Sequence, residues 1–293
     1  MNTPGNKFRD AIADNKPLMV VGAINAYCAK MAEKAGHKAL YLSGAGVANA
    51  SFGLPDLAIT TLNDVAEDSR RITQATNLPL LIDIDTGFGG AFSISRTIKE
   101  MIAADVAAVH IEDQVTQKRC GHRPNKSLVD KIEMTDRIKA AVDSRTDDSF
   151  FIMARTDSYA SEGMQGAIDR CNEYISAGAD GLFLEAVSSL EDYKQLKDAL
   201  QVPLLANITE FGKTPLFSAQ ELASVGVDIM LFPLSAFRAM NKAAESVYID
   251  IAENGSQVNS VEKMQTRDEL YEYLNYHSFE QKLDELFKRK ENN

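Results

Sequence analysis

A cysteine and a histidine lie two positions apart in a strongly basic stretch, residues 118–126, which reads Lys-Arg-Cys-Gly-His-Arg-Pro-Asn-Lys. The cationic neighbours favour the thiolate of Cys120, which could then transfer a proton or act as a nucleophile. His122 adds an imidazole beside that thiol. The alternative is a solvated basic loop whose cysteine has no chemical role.

Two aspartates lie at the end of a short apolar run, residues 78–83. Asp83 and Asp85 are two positions apart, so both carboxylates point to one side if this run is a strand. Such a pair, joined by other carboxylates, suits a cation that prefers oxygen ligands, and Mg²⁺ more than Ca²⁺. Zinc is disfavoured, because Cys120 and His122 lack a second cysteine or histidine pair at ligand spacing. The alternative for the aspartates is capping of the following helix.

Polar or ionisable residues follow nearly every apolar run. They are Tyr41 and Ser43; Asp83 and Asp85; His110, Glu112 and Asp113; Arg155, Thr156 and Asp157; Glu185; Asn207, Thr209 and Glu210; and Ser235 and Arg238. Arginines select planar carboxylates or phosphates, but residues 207–212 and 233–235 are not the glycine-rich loops of a barrel phosphate site. We therefore interpret these residues as the site of a Mg²⁺-dependent enzyme for a small polycarboxylate, with Cys120 as proton donor or acceptor.

The elements that must position these residues are eight short apolar runs alternating with amphipathic segments. The predicted strands are 17–23, 39–42, 78–83, 106–111, 150–154, 181–184, 202–206 and 227–232. The predicted helices are 26–35, one from Thr61 or Asn63 to about Ala75, 94–104, 131–144, 165–177, 190–200, 218–225 and 236–251, with residues 50–59 a loop. Eight strand–helix units favour an α/β fold, a closed (β/α)₈ TIM-type barrel. No G-x-G-x-x-G motif supports an open dinucleotide-binding sheet.

We predict one domain over residues 1–293, with the barrel at about 17–251 and a C-terminal helical extension at about 264–290. The net charge of −11 argues against nucleic-acid or anionic-membrane partners, which such a field repels. No apolar stretch is long enough to span a membrane. Three cysteines make a disulfide framework improbable, so we expect a cytoplasmic protein, with Cys28 and Cys171 as small core residues.

The motifs above resemble the isocitrate lyase/phosphoenolpyruvate mutase superfamily over essentially the whole chain. The segments that carry the resemblance are 41–44, 53–56, 83–85, 118–126, 153–157, 207–212, 233–240 and 264–267. The Cys-Gly-His motif is specific for the lyase branch, whereas the two-aspartate strand end is shared across the superfamily. The resemblance implies a barrel whose last helix is swapped between subunits of a homotetramer, a dimer of dimers.

The activity implied by the resemblance is cleavage of 2-methylisocitrate to pyruvate and succinate in the methylcitrate cycle of propionate catabolism, with Mg²⁺ or Mn²⁺ as cofactor. The residues it assigns are Asp83 and Asp85 to the metal; Ser43, Gly44 and Ala45 to the pyruvate half; Cys120, Gly121 and His122 to the succinate half; and Arg155, Glu185, Asn207, Ile208, Thr209, Arg238 and Arg267 to the remaining substrate site. Cys120 is expected to be the general acid, and Tyr41 or Asp56 the base. Ala45 departs from the glycine of close relatives.

Several other functions remain open at this point. Isocitrate lyases are the nearest alternative, but they are longer and carry Lys-Lys-Cys-Gly-His, so the compact chain and Arg119 favour the methyl-substituted substrate. 2,3-Dimethylmalate lyase and oxaloacetate hydrolase activities share the thiol loop. A non-catalytic dicarboxylate-binding barrel is the alternative from another class, and the combined acid, metal and arginine residues argue against it.

Overall fold

The structure is a computed structural model that describes residues 2–119, 121 and 126–288. Eight parallel strands form a closed barrel in chain order, with β1 beside β8. The strands are β1 Leu18–Gly22, β2 Ala39–Leu42, β3 Leu80–Asp83, β4 Ala108–Glu112, β5 Phe151–Thr156, β6 Gly181–Leu184, β7 Leu204–Asn207 and β8 Ile229–Phe232. The predicted (β/α)₈ barrel is therefore confirmed, and every predicted strand overlaps an observed one.

The helices include all those predicted and two that were not. They are α1 Pro4–Asp14, α2 Ala26–Lys34, α3 Gly44–Phe52, α4 Leu62–Thr73, α5 Ala91–Ala103, α6 Lys131–Asp143, α7 Tyr159–Ser176, α8 Leu190–Ala199, α9 Ala219–Ser224, α10 Ser235–Asn254, α11 Arg267–Leu274 and α12 Tyr276–Phe287, with a 3₁₀ helix at Val258–Lys263. Thr61 and Ser218 close capping boxes at α4 and α9, which satisfy backbone N–H groups that a helix start leaves free.

The loop predicted at residues 50–59 is wrong over its first residues, because α3 continues to Phe52. Its small residues resemble a loop, but the Ser43 hydroxyl accepts a hydrogen bond from the Gly46 N–H and so starts a helix. Gly53 ends it in the left-handed conformation, at φ 64°, as C-terminal glycines commonly do.

The barrel interior is apolar towards the N-terminal ends of the strands. Leu18, Val20, Met153 and Ile229 belong to one buried cluster with Phe8 of α1. The Phe8 ring meets Phe151 edge to face, with centroids 5.4 Å apart. Helix α1 thus closes this end of the barrel, and the polar chemistry is left to the opposite end.

The chain divides into two compact units, residues 1–237 and 238–293. The barrel lies in the first, and the boundary falls near the start of α10. Helices α10, α11 and α12 contain no buried residue.

Among the described residues, none of the helices combines the length and apolarity needed to cross a membrane. Cys28 and Cys171 are buried and form no disulfide, and both belong to the hydrophobic core as expected.

Candidate active site

The alternation of strand side chains places the polar residues inside the C-terminal mouth of the barrel. Leu81, Met153, Phe183 and Leu205 belong to the interior cluster, and side chains two positions further along a strand point the same way. The residues two positions beyond them are Asp83, Arg155, Glu185 and Asn207. All four of these polar side chains are buried.

The carboxylate of Asp83 is held by backbone N–H groups. Its Oδ1 accepts a hydrogen bond from Asp85 N at 2.9 Å, and its Oδ2 accepts one from Gly44 N at 3.3 Å. Burial opposes ionisation, but His110, Lys118 and Arg155 nearby lower the pKa of Asp83 to about 2. Asp83 is therefore ionised at neutral pH.

The carboxylate of Asp85 is placed beside that of Asp83 by an unusual backbone. Asp85 has φ 49°, in the left-handed region that aspartate tolerates better than most residues. Burial, together with the charge of Asp83, raises the pKa of Asp85 to about 6. The two aspartates thus have different proton affinities.

Lys118 brings a cation into this acidic pair. Its Nζ lies 2.6 Å from Asp85 Oδ1 and donates a hydrogen bond of 2.7 Å to Asp56 Oδ1. The Lys118 side chain is buried, and Asp56 is half-buried. Asp56, one of the two candidate bases, therefore lies in the same cluster as the predicted metal ligands.

Arg155 lies among three carboxylates. Its guanidinium is 3.3 Å from Glu112, 3.1 Å from Asp157 and 3.1 Å from Glu185, and it lies over the Phe183 ring. Burial raises the pKa of Glu112 well above its ordinary value. Neither Glu112 oxygen accepts a hydrogen bond from a described residue, so this carboxylate has free acceptor sites.

Gly121 packs directly on this network. A Cβ at this position would overlap the Arg155 guanidinium and the Glu185 carboxylate, which explains the need for glycine. The Gly121 carbonyl accepts a hydrogen bond of 2.7 Å from Lys126 Nζ, and the same ammonium bonds Asp157. The two catalytic candidates of this segment, Cys120 and His122, lie outside the described residues.

The remaining substrate-site candidates of β6 and β7 are buried beside Arg155. Asn207 Nδ2 lies 3.4 Å from Glu185 Oε1, while Asn207 Oδ1 accepts no hydrogen bond from a described residue. Ile208 and Thr209 follow and are also buried. An amide oxygen without a partner in a buried mouth is available to a ligand donor.

Tyr41 reaches the interior from β2, but its hydroxyl is engaged. It lies 2.9 Å from His110 Nε2, and the two rings stack. Burial raises the pKa of Tyr41 well above its ordinary value and lowers that of His110 to about 4. The pair is therefore neutral at physiological pH.

The residues predicted to bind the pyruvate half form the start of α3. Ser43 is its N-cap, and Gly44 and Ala45 are its first residues. A Cβ at Gly44 would lie 3.1 Å from Asp83 Oδ2 and 3.2 Å from Asp85 Oδ1, so glycine lets the helix start approach the acidic pair. A helix N-terminus favours anionic groups.

Two predicted arginines lie in the second unit. Arg238 is an exposed residue of α10, and Arg267 is the exposed first residue of α11. Both assignments stay predictions.

The sequence placed Lys118 and Lys126 in the basic stretch 118–126 but indicated a role for neither. Their partners, Asp56 and Asp157, are 62 and 31 positions away, so local spacing does not reveal these pairs. The signal available was that lysines flank the Cys-Gly-His motif on both sides.

The acidic pair fits a hard cation such as Mg²⁺. In the described ranges, no group of three His, Cys, Asp or Glu side chains is arranged to hold a metal ion. Mg²⁺, however, is commonly bound through one or two carboxylates, with water or substrate completing its shell. Asp85 Oδ1 and both Glu112 oxygens are buried and accept no hydrogen bond from described residues. Their described ion-pair partners are the cations Lys118 and Arg155, so these oxygens could also bind a metal ion.

Known proteins share the sequence and the fold of this chain. The sequence model of the phosphoenolpyruvate phosphomutase family matches residues 8–252. A 2-methylisocitrate lyase of Vibrio cholerae serotype O1 is 61% identical over 291 residues, covering 97% of this chain and 94% of the relative. The crystal structure of a 2,3-dimethylmalate lyase aligns with a TM-score of 0.89 at 34% identity, covering 98% of this chain and 96% of that one. A phosphonopyruvate hydrolase complex with oxalate and Mg²⁺ aligns at 0.86 and 25% identity, covering 98% and 100%. The chain therefore belongs to the phosphoenolpyruvate phosphomutase family and, within it, groups with the 2-methylisocitrate lyases.

Proposed function

We propose that the protein is a Mg²⁺-dependent carbon–carbon lyase that cleaves 2-methylisocitrate to pyruvate and succinate, a step of the methylcitrate cycle. The observation that carries the proposal is the buried barrel mouth in which Asp83, Asp85 and Asp56 lie together with Arg155. A tricarboxylate with a hydroxyl needs such a mixture of cation-binding oxygens, arginine and a base. The chain is 61% identical to a 2-methylisocitrate lyase, which supports 2-methylisocitrate as the substrate.

The substrate would be held at both ends by residues of the barrel mouth. The start of α3, with Ser43, Gly44 and Ala45, would bind the carboxylate of the pyruvate half through backbone N–H groups. Arg155 and Asn207 would bind the succinate half, the arginine through a forked pair of N–H donors. Asp83 and Asp85 would hold Mg²⁺, which as a Lewis acid would stabilise negative charge developing on the pyruvate half.

Cleavage requires one proton to be removed and one to be delivered. Asp56 would remove the proton of the 2-hydroxyl, the C2–C3 bond would break as the carbonyl of pyruvate forms, and its electron pair would pass to C3 of the succinate half. Cys120 would then protonate C3 as general acid. We prefer Asp56 to Tyr41 as base, because the Tyr41 hydroxyl is bonded to His110 and burial raises its pKa well above the ordinary value.

A product assay with purified protein and Mg²⁺ tests this function. The protein is offered 2-methylisocitrate, isocitrate, 2,3-dimethylmalate and oxaloacetate separately, and pyruvate, succinate, glyoxylate and oxalate are quantified. We expect pyruvate and succinate in equal amounts from 2-methylisocitrate, and much slower turnover of the others. Equal or faster cleavage of isocitrate would overturn the substrate, and no turnover of any compound would favour a non-catalytic dicarboxylate-binding barrel.

We also propose that the subunits assemble by exchanging helix α10, in a dimer of dimers. The outer faces of β1 and β8 contribute to an apolar groove of about 500 Å³ lined by Met19, Val21, Met31 and Phe232 among others. Met19 is 45% exposed although it belongs to a barrel strand. Helix α10 contains no buried residue and exposes apolar side chains, including Met240 and Ile249. A second copy of α10 is therefore a chemically suitable occupant for the groove.

A further inference from the structure

Lys118 supplies an internal positive charge to the carboxylates that are proposed to bind the metal and to act as base. Its Nζ is 2.6 Å from Asp85 Oδ1 and 2.7 Å from Asp56 Oδ1, and its side chain is 4% exposed. Asp83 is linked to the same cluster, because its Oδ1 accepts the Asp85 N–H. The ammonium thus forms ion pairs with two carboxylates, one buried and one half-buried, that would otherwise lie near each other without this cation.

A divalent cation on Asp85 would compete with this ammonium. Oδ1 of Asp85 is the carboxylate oxygen 2.6 Å from Lys118 Nζ. The contact is an ion pair, since this oxygen accepts no hydrogen bond from a described residue. Two positive charges on one buried carboxylate repel each other strongly, because the interior screens charge poorly. One carboxylate group can therefore hold either the ammonium or the metal ion much better than both.

We propose that Lys118 is a positioning residue that occupies the metal ligand Asp85 and the base Asp56 together until the metal ion binds. The same ammonium donates a hydrogen bond to Asp56 Oδ1, and its displacement by the metal ion would break that bond as well. Metal binding would in this way free the base in the same event. The inference rests on the proposed function, since it uses the metal pair and the base assigned there.

The test is Mn²⁺ binding to substrate-free protein, measured by the electron paramagnetic resonance of unbound Mn²⁺, for wild type, Lys118→Met and Lys118→Gln. Removal of the competing charge should lower the Kd for Mn²⁺ at least about tenfold in both variants. The glutamine variant keeps a hydrogen-bond donor without the charge and provides a second route if the methionine variant does not fold. An unchanged or weaker affinity in the folded variants would overturn the proposal.

Lys126→Met is the matched control. Lys126 is a half-buried lysine of the same segment, but its ammonium bonds Asp157 and the Gly121 carbonyl instead of the proposed metal pair. Its removal should leave the Kd for Mn²⁺ within about twofold, since its ammonium pairs with Asp157 and not with either aspartate of the proposed metal pair. Equal tightening in the Lys126 and Lys118 variants would reduce the effect to net charge and refute the local competition.

Thermal unfolding supplies a readout that does not depend on activity. In a chelator, Lys118→Met should unfold at a lower temperature than wild type, because the carboxylates lose their cation, and added Mn²⁺ should raise the midpoint of the variant more than that of wild type. If Mn²⁺ binds neither wild type nor any variant, both the proposed metal site and the proposed competition are wrong. If wild type binds Mn²⁺ and cleaves substrate but the Lys118 variants bind Mn²⁺ no more tightly, only the proposed competition is wrong.

Discussion

At the scale of single residues, Asp56 and Tyr41 can be separated by variants that change little besides proton transfer. Asp56→Asn removes the proposed base and should lower kcat by about 10²–10⁴-fold, the usual contribution of a positioned base. Tyr41→Phe removes a phenol already bonded to His110 and should cost less than about tenfold. Steady-state kinetics with 2-methylisocitrate provide the comparison. A larger loss in the tyrosine variant would exchange the two roles.

Cys120 is the second residue whose role can be isolated. A hydroxyl is a much weaker acid than a thiol, so Cys120→Ser should keep substrate binding and lose most turnover, by about 10²-fold or more. Binding is measured by calorimetry and turnover by product formation. Cys28→Ser, at a buried thiol of α2, serves as the control and should keep kcat. Turnover at the wild-type level in Cys120→Ser would remove the thiol from the mechanism.

The proton affinity of Asp85 predicts how metal binding depends on pH. Burial and the charge of Asp83 raise the pKa of Asp85 to about 6, whereas the pKa of Asp83 is lowered to about 2. Of the two aspartates, only Asp85 changes protonation near neutral pH, and a proton on it competes with the metal. The Kd for Mn²⁺ should therefore rise by about tenfold per pH unit below 6 and level off above it. An affinity that does not change from pH 5 to 7 would contradict this assignment.

At the scale of elements, α1 is expected to act on stability alone. Phe8 is fully buried at the N-terminal end of the barrel, in contact with Phe151, and its replacement by alanine should lower the free energy of unfolding by about 3–5 kcal/mol. Phe92→Ala is the control, since that ring is 92% exposed. Urea unfolding measures both variants. Because Phe8 lies opposite the polar mouth, KM of the folded Phe8→Ala protein should be unchanged.

The accuracy of the sequence predictions differed between element types for a physical reason. Strands such as β2 and β6 are buried on both faces and are therefore continuous apolar runs, which are easy to recognise. Helix α1 buries only Phe8, Ile12 and Gly5 among many polar residues, and the small residues of α3 carry no clear periodicity. Both helices depend on N-caps, Thr3 and Ser43, whose function becomes visible only in the folded backbone.

The candidate site was predictable where it followed strand order and not where it depended on tertiary pairing. Alternation by two along β3 and β5 places Asp83 and Arg155 in the barrel mouth, so the sequence indicated the position of the proposed metal pair and of the arginine. The contacts that define the electrostatics of the site join distant segments, as Lys118 joins Asp56 and Lys126 joins Asp157. Local spacing contains no record of such pairs.

At the scale of the whole molecule, the apolar groove beside β1 and β8 predicts that assembly depends on Met19. Because this side chain is exposed in the single chain, glutamate is tolerated there before assembly but becomes a buried unpaired charge when a partner helix covers it. Such burial costs several kcal/mol, and each 1.4 kcal/mol weakens association about tenfold. Met19→Glu should therefore shift the protein from tetramer to smaller species in sedimentation velocity.

The comparison that makes this prediction specific is Ile132→Glu, on α6. Ile132 is 72% exposed and is not among the residues that line the groove, so a charge there should leave the assembly intact. Far-ultraviolet circular dichroism of both variants checks that the barrel is folded. If wild type sediments as a monomer, or if Met19→Glu assembles as wild type does, helix exchange at this groove is wrong. If Met19→Glu dissociates while Ile132→Glu remains assembled, the outer faces of β1 and β8 form the interface. A helix of the partner subunit would then cover the apolar groove that the single chain leaves exposed.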